Sequence, residues 1–404
     1  MTQATAALGV EGPHRYTWQE VLAAALVQGL SVAAWRLPLL PEVQLCVSFN
    51  TQLSQDSPRV EESAFGFLFC PFQTDAAQPN VFLKADISLS SVTGELNLAA
   101  DAPAEATQRF LKTLQERHQE STPQWHTSPT SPPNRHRTEE TFKAAVSLAV
   151  DVIRAETMEK VVLSRTAAAD LPQQFGLFGA FEKMLSAYPN AFVSLVSIPG
   201  TGTWLGASPE ILVSIDQHQV FKTVALAGTQ PLCEDGSTAN AIWRQKEIEE
   251  QGMVERYILS CFKKLRLREY TEVGPRTDIA GNLMHLRTDF KVDLKEVDFP
   301  TLGSDMLQLL HPTSAVCGLP KEPALNFILA NEGYDRSYYS GFLGPVNSAA
   351  GTHLFVNLRC MQLMTDKAVL YAGAGITGES SPEKEWLETQ HKMQTMARIL
   401  SDFE

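Results

Sequence analysis

The sequence predicts an α+β fold whose sheet is mostly antiparallel. Four short apolar runs follow one another with only short turns between them, over residues 192–198, 203–206, 211–215 and 220–225. Parallel strands need long crossover connections, so this close spacing favours antiparallel pairing. A long, charge-rich helical stretch at 242–265 stands apart from these runs, and the chain has no internal repeat of fixed period.

The first third of the chain carries weaker signals. Apolar runs at 63–72 and 81–89 predict short strands, and residues 102–118 have helical spacing. Residues 121–137 then contain four prolines and no apolar periodicity, which predicts an exposed linker or loop. This segment separates residues 1–120 from residues 138–404.

The signals are sharper beyond the linker. Thr138 is placed to cap a helix whose apolar residues at 142, 146, 149 and 153 share one face. Residues 160–165 predict a strand, and residues 354–364 and 368–372 predict a hairpin.

The chain ends in a predicted helix. Proline is favoured at the first helical position, so we expect this helix to begin at Pro382, with Ser380 or Ser381 as its cap. Its apolar spacing continues to about residue 399.

Composition narrows the range of partners. The 404 residues include 33 Lys and Arg against 46 Asp and Glu, which gives a net charge of −13. So acidic a chain repels phosphate backbones and anionic membranes, which argues against general nucleic-acid or membrane-surface binding. An anionic small substrate would have to be held by local cations or by a metal.

Cysteine use and hydropathy predict a cytoplasmic protein. The six cysteines are scattered and form no CxxC pair, so neither a zinc site nor a disulfide framework is indicated. The longest apolar stretch, residues 21–35, is too short and too polar for a membrane span. No cationic start or small-residue cleavage site flanks it, so no signal peptide is expected.

Two predicted helices carry pairs of glutamates three residues apart, Glu247 with Glu250 and Glu385 with Glu388. That spacing places both carboxylates of a pair on one helix face. Two such faces opposite each other would offer the hard oxygen ligands that Mg²⁺ prefers. A solvated helix face, with Lys392 pairing with Glu388 at the surface, explains the same pattern.

A glycine-rich stretch precedes the last helix. Gly373, Gly375 and Gly378 match the GxGxxG spacing of dinucleotide-binding proteins. The preceding strand belongs to a hairpin, however, and too little chain follows for the rest of a Rossmann half. We therefore expect either an anion held by backbone amides near a helix N-terminus or a structural turn.

Lys160 and Glu210 each begin a predicted strand. Either could be a charge at the rim of the sheet. Burial disfavours the charged form of both groups, so Lys160 could instead act as a base and Glu210 as a general acid.

Arg359 and two histidines are further candidates. Arg359 lies in a predicted apolar strand, where a buried arginine needs either a substrate carboxylate or a structural ion-pair partner. His285 and His311 are isolated in the sequence and fit either a packed core or loop position or a ligand contact.

Nine segments in this order resemble the chorismate-utilising enzymes. This family comprises isochorismate synthases, salicylate synthases and the large subunits of anthranilate and aminodeoxychorismate synthases. The resemblance covers about residues 138–398 and is carried by KVVLSR, GASPE, ALAGT, KEIEEQ, HLRT, HPTSAVCG, RSYYSGFLG, LRC and AGAGIT with EWLET. It implies mostly antiparallel sheets packed face to face with helices outside, residues 1–120 as a variable scaffold part, and 138–404 as the chorismate-binding catalytic region.

The resemblance also implies roles for individual residues. Lys160 matches the lysine that activates water, and Glu210 matches the acid that protonates the departing hydroxyl. The metal positions are four glutamates, with Glu250 and Glu388 as Mg²⁺ ligands and Glu247 and Glu385 holding metal-bound waters. Substrate contacts are implied for Gly228, Arg359, Gly373 and Lys392, and His285 and Ala315 match positions that line the ring pocket.

The implied reaction is a Mg²⁺-dependent attack of a nucleophile on ring carbon 2 of chorismate, with loss of the 4-hydroxyl. Family members that use water carry lysine at the position of Lys160, whereas anthranilate synthases carry glutamine. Aminodeoxychorismate synthases carry a covalent lysine in a PIKGT motif, where this chain has Ala227. Isochorismate formation for menaquinone or siderophore precursors is therefore favoured, without an amidotransferase partner.

Alternatives remain. Salicylate synthases share nearly all of these motifs and add a pyruvate elimination. An anthranilate synthase-type component, a nucleotide-binding oxidoreductase built on the GxGxxG stretch, and a non-catalytic chorismate-binding relative are further possibilities. The KEIEEQ segment differs from the common KDRHEH-like run but keeps both expected carboxylates.

Overall fold

The structure is a computed structural model that describes residues 14–116, 124–128, 138–231, 238, 241–280 and 283–403. These residues form two large sheets with helices packed on them. The helices of the described residues are α1 (Trp18–Val27), α2 (Ala104–Glu116), α3 (Glu139–Arg154), α4 (Leu177–Ala187), α5 (Gln245–Lys264), α6 (Leu302–Leu310), α7 (Lys321–Asn331) and α8 (Pro382–Ser401).

The strands occur throughout the chain. They are β1 (Ser31–Arg36), β2 (Gln44–Ser48), β3 (Gln52–Ser54), β4 (Gly66–Cys70), β5 (Asn80–Lys84), β6 (Ile87–Ser90), β7 (Leu96–Leu98), β8 (Lys160–Asp170), β9 (Phe192–Ile198), β10 (Gly202–Ser208), β11 (Ile211–Asp216), β12 (Val220–Pro231), β13 (Thr271–Ala280), β14 (Leu283–Asp293), β15 (Gly318–Leu319), β16 (Phe342–Val346), β17 (Gly351–Val356), β18 (Cys360–Leu363) and β19 (Lys367–Ile376).

The two sheets have ten and nine strands. The ten-stranded sheet has the order β15-β8-β19-β18-β10-β9-β1-β2-β6-β7, and the nine-stranded sheet has the order β13-β14-β12-β11-β17-β16-β4-β5-β3. Neighbouring strands pair antiparallel, for example β8 with β19 and β12 with β14. The predicted antiparallel α+β class is confirmed.

A core of aromatic side chains lies between the sheets, which pack face to face as expected. Phe192 of the ten-stranded sheet stacks on Phe355 of the nine-stranded sheet, with ring centroids 4.2 Å apart. Helices α1, α2, α4 and α8 cover the outer face of the ten-stranded sheet, and α5 and α6 cover that of the nine-stranded sheet. Each sheet therefore buries both faces.

Two predicted strands are wrong because the chain changes sheets within them. Residues 81–89 divide into β5 and β6, which belong to different sheets. Residues 354–364 likewise divide into the end of β17 and β18, and residues 357–359 cross between the sheets. Both segments are rich in apolar residues on either side of the crossing because both sheets are buried, so periodicity does not reveal the crossing.

The helix ends largely follow the sequence signals. Thr138 is the N-cap of α3, and its hydroxyl accepts a hydrogen bond from the backbone N–H of Thr141. Helix α8 begins at Pro382 with Ser381 as its N-cap, as expected. None of the helices within the described ranges is long and apolar enough to cross a membrane.

The predicted linker is only partly described. Residues 124–128 pack on the ten-stranded sheet, where the Trp125 indole N–H donates to the Met364 carbonyl. This part of the segment is therefore less exposed than predicted, and the remainder lies outside the described residues. The five described cysteines are free and buried, whereas Cys233 lies outside the described residues.

A buried ion pair ties β8 to the segments beside it. The Arg336 guanidinium pairs with Glu332 at 2.7 Å and donates to the carbonyls of Val162 and Val316. The Glu332 carboxylate in turn accepts from the Ser164 hydroxyl at 2.8 Å. Both charged side chains are about as buried as the surrounding apolar core, so each depends on the other for compensation.

We predict that Arg336→Met lowers the free energy of unfolding by about 3–5 kcal/mol, because it leaves the Glu332 carboxylate buried without its counter-ion. Arg109→Met is the matched control, since Arg109 forms an exposed pair with Glu105 at the same four-residue spacing and should cost no more than about 1 kcal/mol. Urea denaturation measures both, and equal losses in the two variants would contradict the prediction.

Candidate active site

A cleft with about 780 Å³ of empty space, including its open mouth, lies where segments of both sheets meet α5 and α8. It is lined by most of the residues that the sequence singled out. These are Lys160, Glu210, Gly228, Glu250, His285, Ala315, Arg359, Gly373, Glu388 and Lys392.

Two predicted glutamates do not line the cleft. Glu247 lies one turn before Glu250, and its carboxylate accepts from the backbone N–H of Arg244 at 2.8 Å, so it caps its own helix. Glu385 lies in the first turn of α8 and is buried. Their predicted role in holding metal-bound waters stays a prediction.

Lys160 joins the two halves of the molecule across the cleft. It is the first residue of β8 in the ten-stranded sheet, its side chain is 1% exposed, and its Nζ donates to Glu250 Oε1 at 2.7 Å. Glu250 belongs to α5, which packs on the nine-stranded sheet. A Cβ at Gly375 would lie 2.9 Å from that Glu250 oxygen and 3.0 Å from Lys160 Cε, so glycine makes room for the pair.

Glu210 lies between β10 and β11, where the chain passes from one sheet to the other. Burial raises the pKa of its carboxyl to about 7, although the positive charges of Lys160, Lys392 and Arg359 act in the opposite direction. A large part of this carboxyl is therefore protonated near neutral pH, as a general acid requires.

Arg359 lies in the crossing between β17 and β18 rather than inside a strand, which corrects the sequence-based placement. Its backbone is left-handed, with φ of 48°, and its carbonyl accepts from Ala207 N–H at 3.0 Å. Desolvation lowers the pKa of its guanidinium, which faces Tyr339 and Glu388. A partly buried cation that lines an open cleft is suited to hold an anion.

Lys392 and Glu388 form the second ion pair of the cleft. Both lie on α8, and their Nζ and Oε1 atoms are 2.7 Å apart. Lys392 also donates to the Gly373 carbonyl at 2.9 Å, so it is fixed to β19. The pair predicted as one alternative is therefore present, but it faces the cleft rather than a fully solvated surface.

His285 contributes a neutral imidazole to the cleft wall. Desolvation and the nearby Arg359 and Lys392 charges lower its pKa to about 3. Its Nδ1 lies 3.2 Å from the Gly228 carbonyl, where only a protonated nitrogen can make a hydrogen bond. His311, by contrast, lies outside the cleft lining, with Nε2 3.1 Å from the Pro71 carbonyl.

The first part of the glycine-rich stretch is a strand, and the expected turn follows it at Gly378 and Glu379, just before α8. Gly373 and Gly375 lie within β19, opposite Ser164 and Val162 of β8. The strand pairs antiparallel with both of its neighbours, so the GxGxxG spacing has no βαβ context here. The absence of side chains leaves space in the cleft.

The donor set of the cleft fits Mg²⁺ chemically. Glu250 and Glu388 reach it from different helices and supply the hard oxygen ligands that Mg²⁺ takes together with waters and substrate oxygens. Within the described ranges, no group of three or more His, Cys, Asp or Glu side chains is placed to hold a metal alone. Each of the two carboxylates pairs with a lysine in this structure.

Several apolar and aromatic residues of the cleft wall are absent from the predicted site. Among them are Tyr339, Tyr371 and Leu358, and the rings of Tyr339 and Tyr371 stack with centroids 5.2 Å apart. Each adjoins or lies within a motif noted in the sequence. An apolar or aromatic residue in such a motif has no signal that separates a cleft position from a core position.

Comparison with known proteins agrees with this fold. The family described as chorismate binding enzyme matches residues 11–401. The vibriobactin-specific isochorismate synthase of Vibrio cholerae serotype O1 is 29% identical over 264 residues, which are 64% of this chain and 66% of that protein. The match thus spans just under two thirds of that relative.

Two solved structures share the fold at low identity. MenF, the menaquinone-specific isochorismate synthase from Escherichia coli, has a TM-score of 0.75 at 21% identity, covering 98% of this chain and 97% of that chain. Anthranilate synthase component I from Streptococcus pneumoniae has a TM-score of 0.64 at 20% identity, with coverages of 98% and 97%. The fold expected from the motifs is confirmed, and the chain belongs to the chorismate-binding enzyme family.

Proposed function

We propose that this protein is an isochorismate synthase, which adds water to ring carbon 2 of chorismate and removes the 4-hydroxyl in a Mg²⁺-dependent, reversible reaction. The observation that carries the proposal is the presence of Lys160 and Glu210 in one cleft, on segments that approach it separately. A base and an acid are both needed, because water is a weak nucleophile and hydroxide is a poor leaving group.

The anionic substrate is held by the positive charge of the cleft. Chorismate carries two carboxylates, and a protein of net charge −13 must oppose them with local cations. Arg359 and Lys392 both line the cleft, and the guanidinium of Arg359 can bind a carboxylate through two parallel hydrogen bonds. We assign them to the substrate carboxylates.

Proton transfer proceeds between the two catalytic groups and the ring. Lys160, acting as the base, takes a proton from water as the water oxygen bonds to carbon 2. Both ring double bonds shift by one position, from carbons 1 and 2 to carbons 1 and 6 and from carbons 5 and 6 to carbons 4 and 5. The bond from carbon 4 to its hydroxyl breaks, and protonated Glu210 gives its proton to the departing oxygen. One water enters and one leaves, so substrate and product are isomers, and exchange with solvent restores Lys160 and Glu210.

The metal is assigned to Glu250 and Glu388. When bound, Mg²⁺ would supply positive charge against the ring carboxylate, where negative charge increases during attack. In this structure each of these two carboxylates also pairs with a lysine, Glu250 with Lys160 and Glu388 with Lys392.

Two positions favour water over nitrogen nucleophiles. Lysine stands at position 160, as in the water-using members of the family, and Ala227 lines the cleft at the position of the covalent lysine of aminodeoxychorismate synthases. We accordingly propose a cytoplasmic enzyme without an amidotransferase partner, and a product that serves menaquinone or siderophore synthesis.

Product analysis tests the proposal directly. The purified protein is incubated with chorismate and Mg²⁺, with and without an ammonia source, and the products are separated. We expect isochorismate alone in both cases. Salicylate with pyruvate would indicate a salicylate synthase, an aromatic amine formed only with ammonia would indicate an anthranilate-type enzyme, and binding without turnover would indicate a non-catalytic relative.

Lys160→Ala should lower kcat by about 10²–10⁴-fold, because no other group is assigned to activate water. Chorismate binding, measured by calorimetry, should be largely retained. Lys222→Ala is the matched control, since Lys222 is also a strand lysine in a 2.7 Å ion pair but lies outside the cleft. A near-normal rate for Lys160→Ala would remove the assignment of the base.

Glu388→Gln should shift the Mg²⁺ titration of activity to concentrations at least about tenfold higher, because a neutral amide is a weaker ligand than a carboxylate. Glu383→Gln, an exposed position in the first turn of the same helix, should leave the titration unchanged. Identical Mg²⁺ curves for both variants would place the metal elsewhere.

The pH dependence of kcat/KM should report Glu210. Its raised pKa of about 7 means that the carboxyl loses its proton as pH rises through neutrality, so kcat/KM should fall above that pH. His285, with a pKa of about 3, stays neutral over the same range and adds no step. Glu210→Gln should be slower at every pH and lack this decline, whereas a decline that persists in Glu210→Gln would assign it to another group.

A further inference from the structure

Asn357 lies next to the cleft without lining it. It is the first residue of the three-residue crossing from β17 to β18, and it is 2% exposed. The two residues that follow it in the crossing, Leu358 and Arg359, both line the cleft. Asn357 is thus buried two residues before the predicted carboxylate-binding arginine, in the same crossing.

Three hydrogen bonds join Asn357 to the loop that carries Tyr339. Its backbone N–H donates to the Gly341 carbonyl at 2.8 Å, and its carbonyl accepts from Ser340 N–H at 2.9 Å. Any residue could make these two bonds. The third depends on the side chain, because Nδ2 donates to the Tyr338 carbonyl at 2.9 Å, immediately before Tyr339 in the chain.

The joined segments contain an unusual concentration of strained backbone. Ser337, Ser340 and Arg359 have φ values of 53°, 60° and 48°. These lie in the left-handed region, which residues other than glycine rarely adopt. Such conformations persist only where surrounding contacts over-determine them. The Asn357 amide supplies one such contact at the point where the loop and the crossing meet.

We infer that Asn357 is a positioning residue that fixes Arg359 against the Tyr339 loop and so sets the affinity of the cleft for the substrate carboxylate. This inference rests on the proposed function. A carboxylate contact is made both in the bound substrate and in the transition state, so weakening it raises KM and leaves kcat nearly unchanged. Loss of the catalytic base or acid would instead lower kcat.

The test is Asn357→Ala, assayed with chorismate and Mg²⁺. We expect KM, and the dissociation constant of chorismate in calorimetry, to rise about fivefold to tenfold, as for the loss of one buried hydrogen bond. The matched control is Asn347→Ala, since Asn347 also donates through Nδ2 to backbone carbonyls, those of Val60 and Ser63, but lies away from the cleft. It should change thermal stability without changing KM.

A double-mutant cycle separates positioning from general destabilisation. If Asn357 acts through Arg359, adding Asn357→Ala to Arg359→Ala should weaken chorismate binding by less than about twofold beyond Arg359→Ala alone. Should the alanine variant fail to fold, Asn357→Ser retains a small hydroxyl donor, and its KM should rise in the same direction by a smaller factor.

The outcomes separate failure of the proposed function from failure of the inference about Asn357. Absence of chorismate turnover by the parent enzyme overturns the proposed function and this inference with it. An active parent whose Asn357 variants keep the parental KM, lose only kcat, or add their full effect in the Arg359→Ala background overturns this inference alone. An equal rise of KM in Asn347→Ala does the same.

Discussion

The ion pair between Lys160 and Glu250 is the interaction on which the site depends, because it links the two sheets across the cleft. Lys160 begins a strand of one sheet, and Glu250 extends from a helix that covers the other. Lys160 is almost completely buried, so its charge depends on the Glu250 carboxylate for compensation. The fold therefore brings the predicted base and a predicted metal ligand together through one contact of 2.7 Å.

Burial in the cleft also favours the neutral forms of two of its titratable side chains, Glu210 and His285. Desolvation raises the pKa of Glu210 to about 7 and lowers that of His285 to about 3, so both side chains become less charged than they would be in water. Arg359 and Lys392 then provide positive charge for an anionic substrate in a protein that is acidic overall. A neutral acid, a neutral imidazole and two cations form a site suited to a dicarboxylate.

Helix ends and most of the cleft lining could be predicted from the sequence, whereas sheet crossings and tertiary contacts could not. Local signals located the ends of helices well, as at Thr138 and Pro382, because caps and proline act within one turn. The change of sheet at Arg359 depends on contacts between distant segments, and the apolar run that contains it has no local signal for a crossing. The spacing of Glu247 and Glu250 indicated one helix face, yet it could not show that Glu247 caps the helix while Glu250 meets Lys160. Motif order identified most of the cleft lining, whereas Tyr339 and Asn357 acquire their positions from tertiary contacts.

In the proposed reaction the cleft adds a solvent water to the ring rather than moving the existing hydroxyl. Mass spectrometry of isochorismate formed from unlabelled chorismate in ¹⁸O-water tests this step. Product sampled at low conversion should carry one solvent oxygen, located in its ring hydroxyl. Isochorismate that contains only the original oxygens would contradict it.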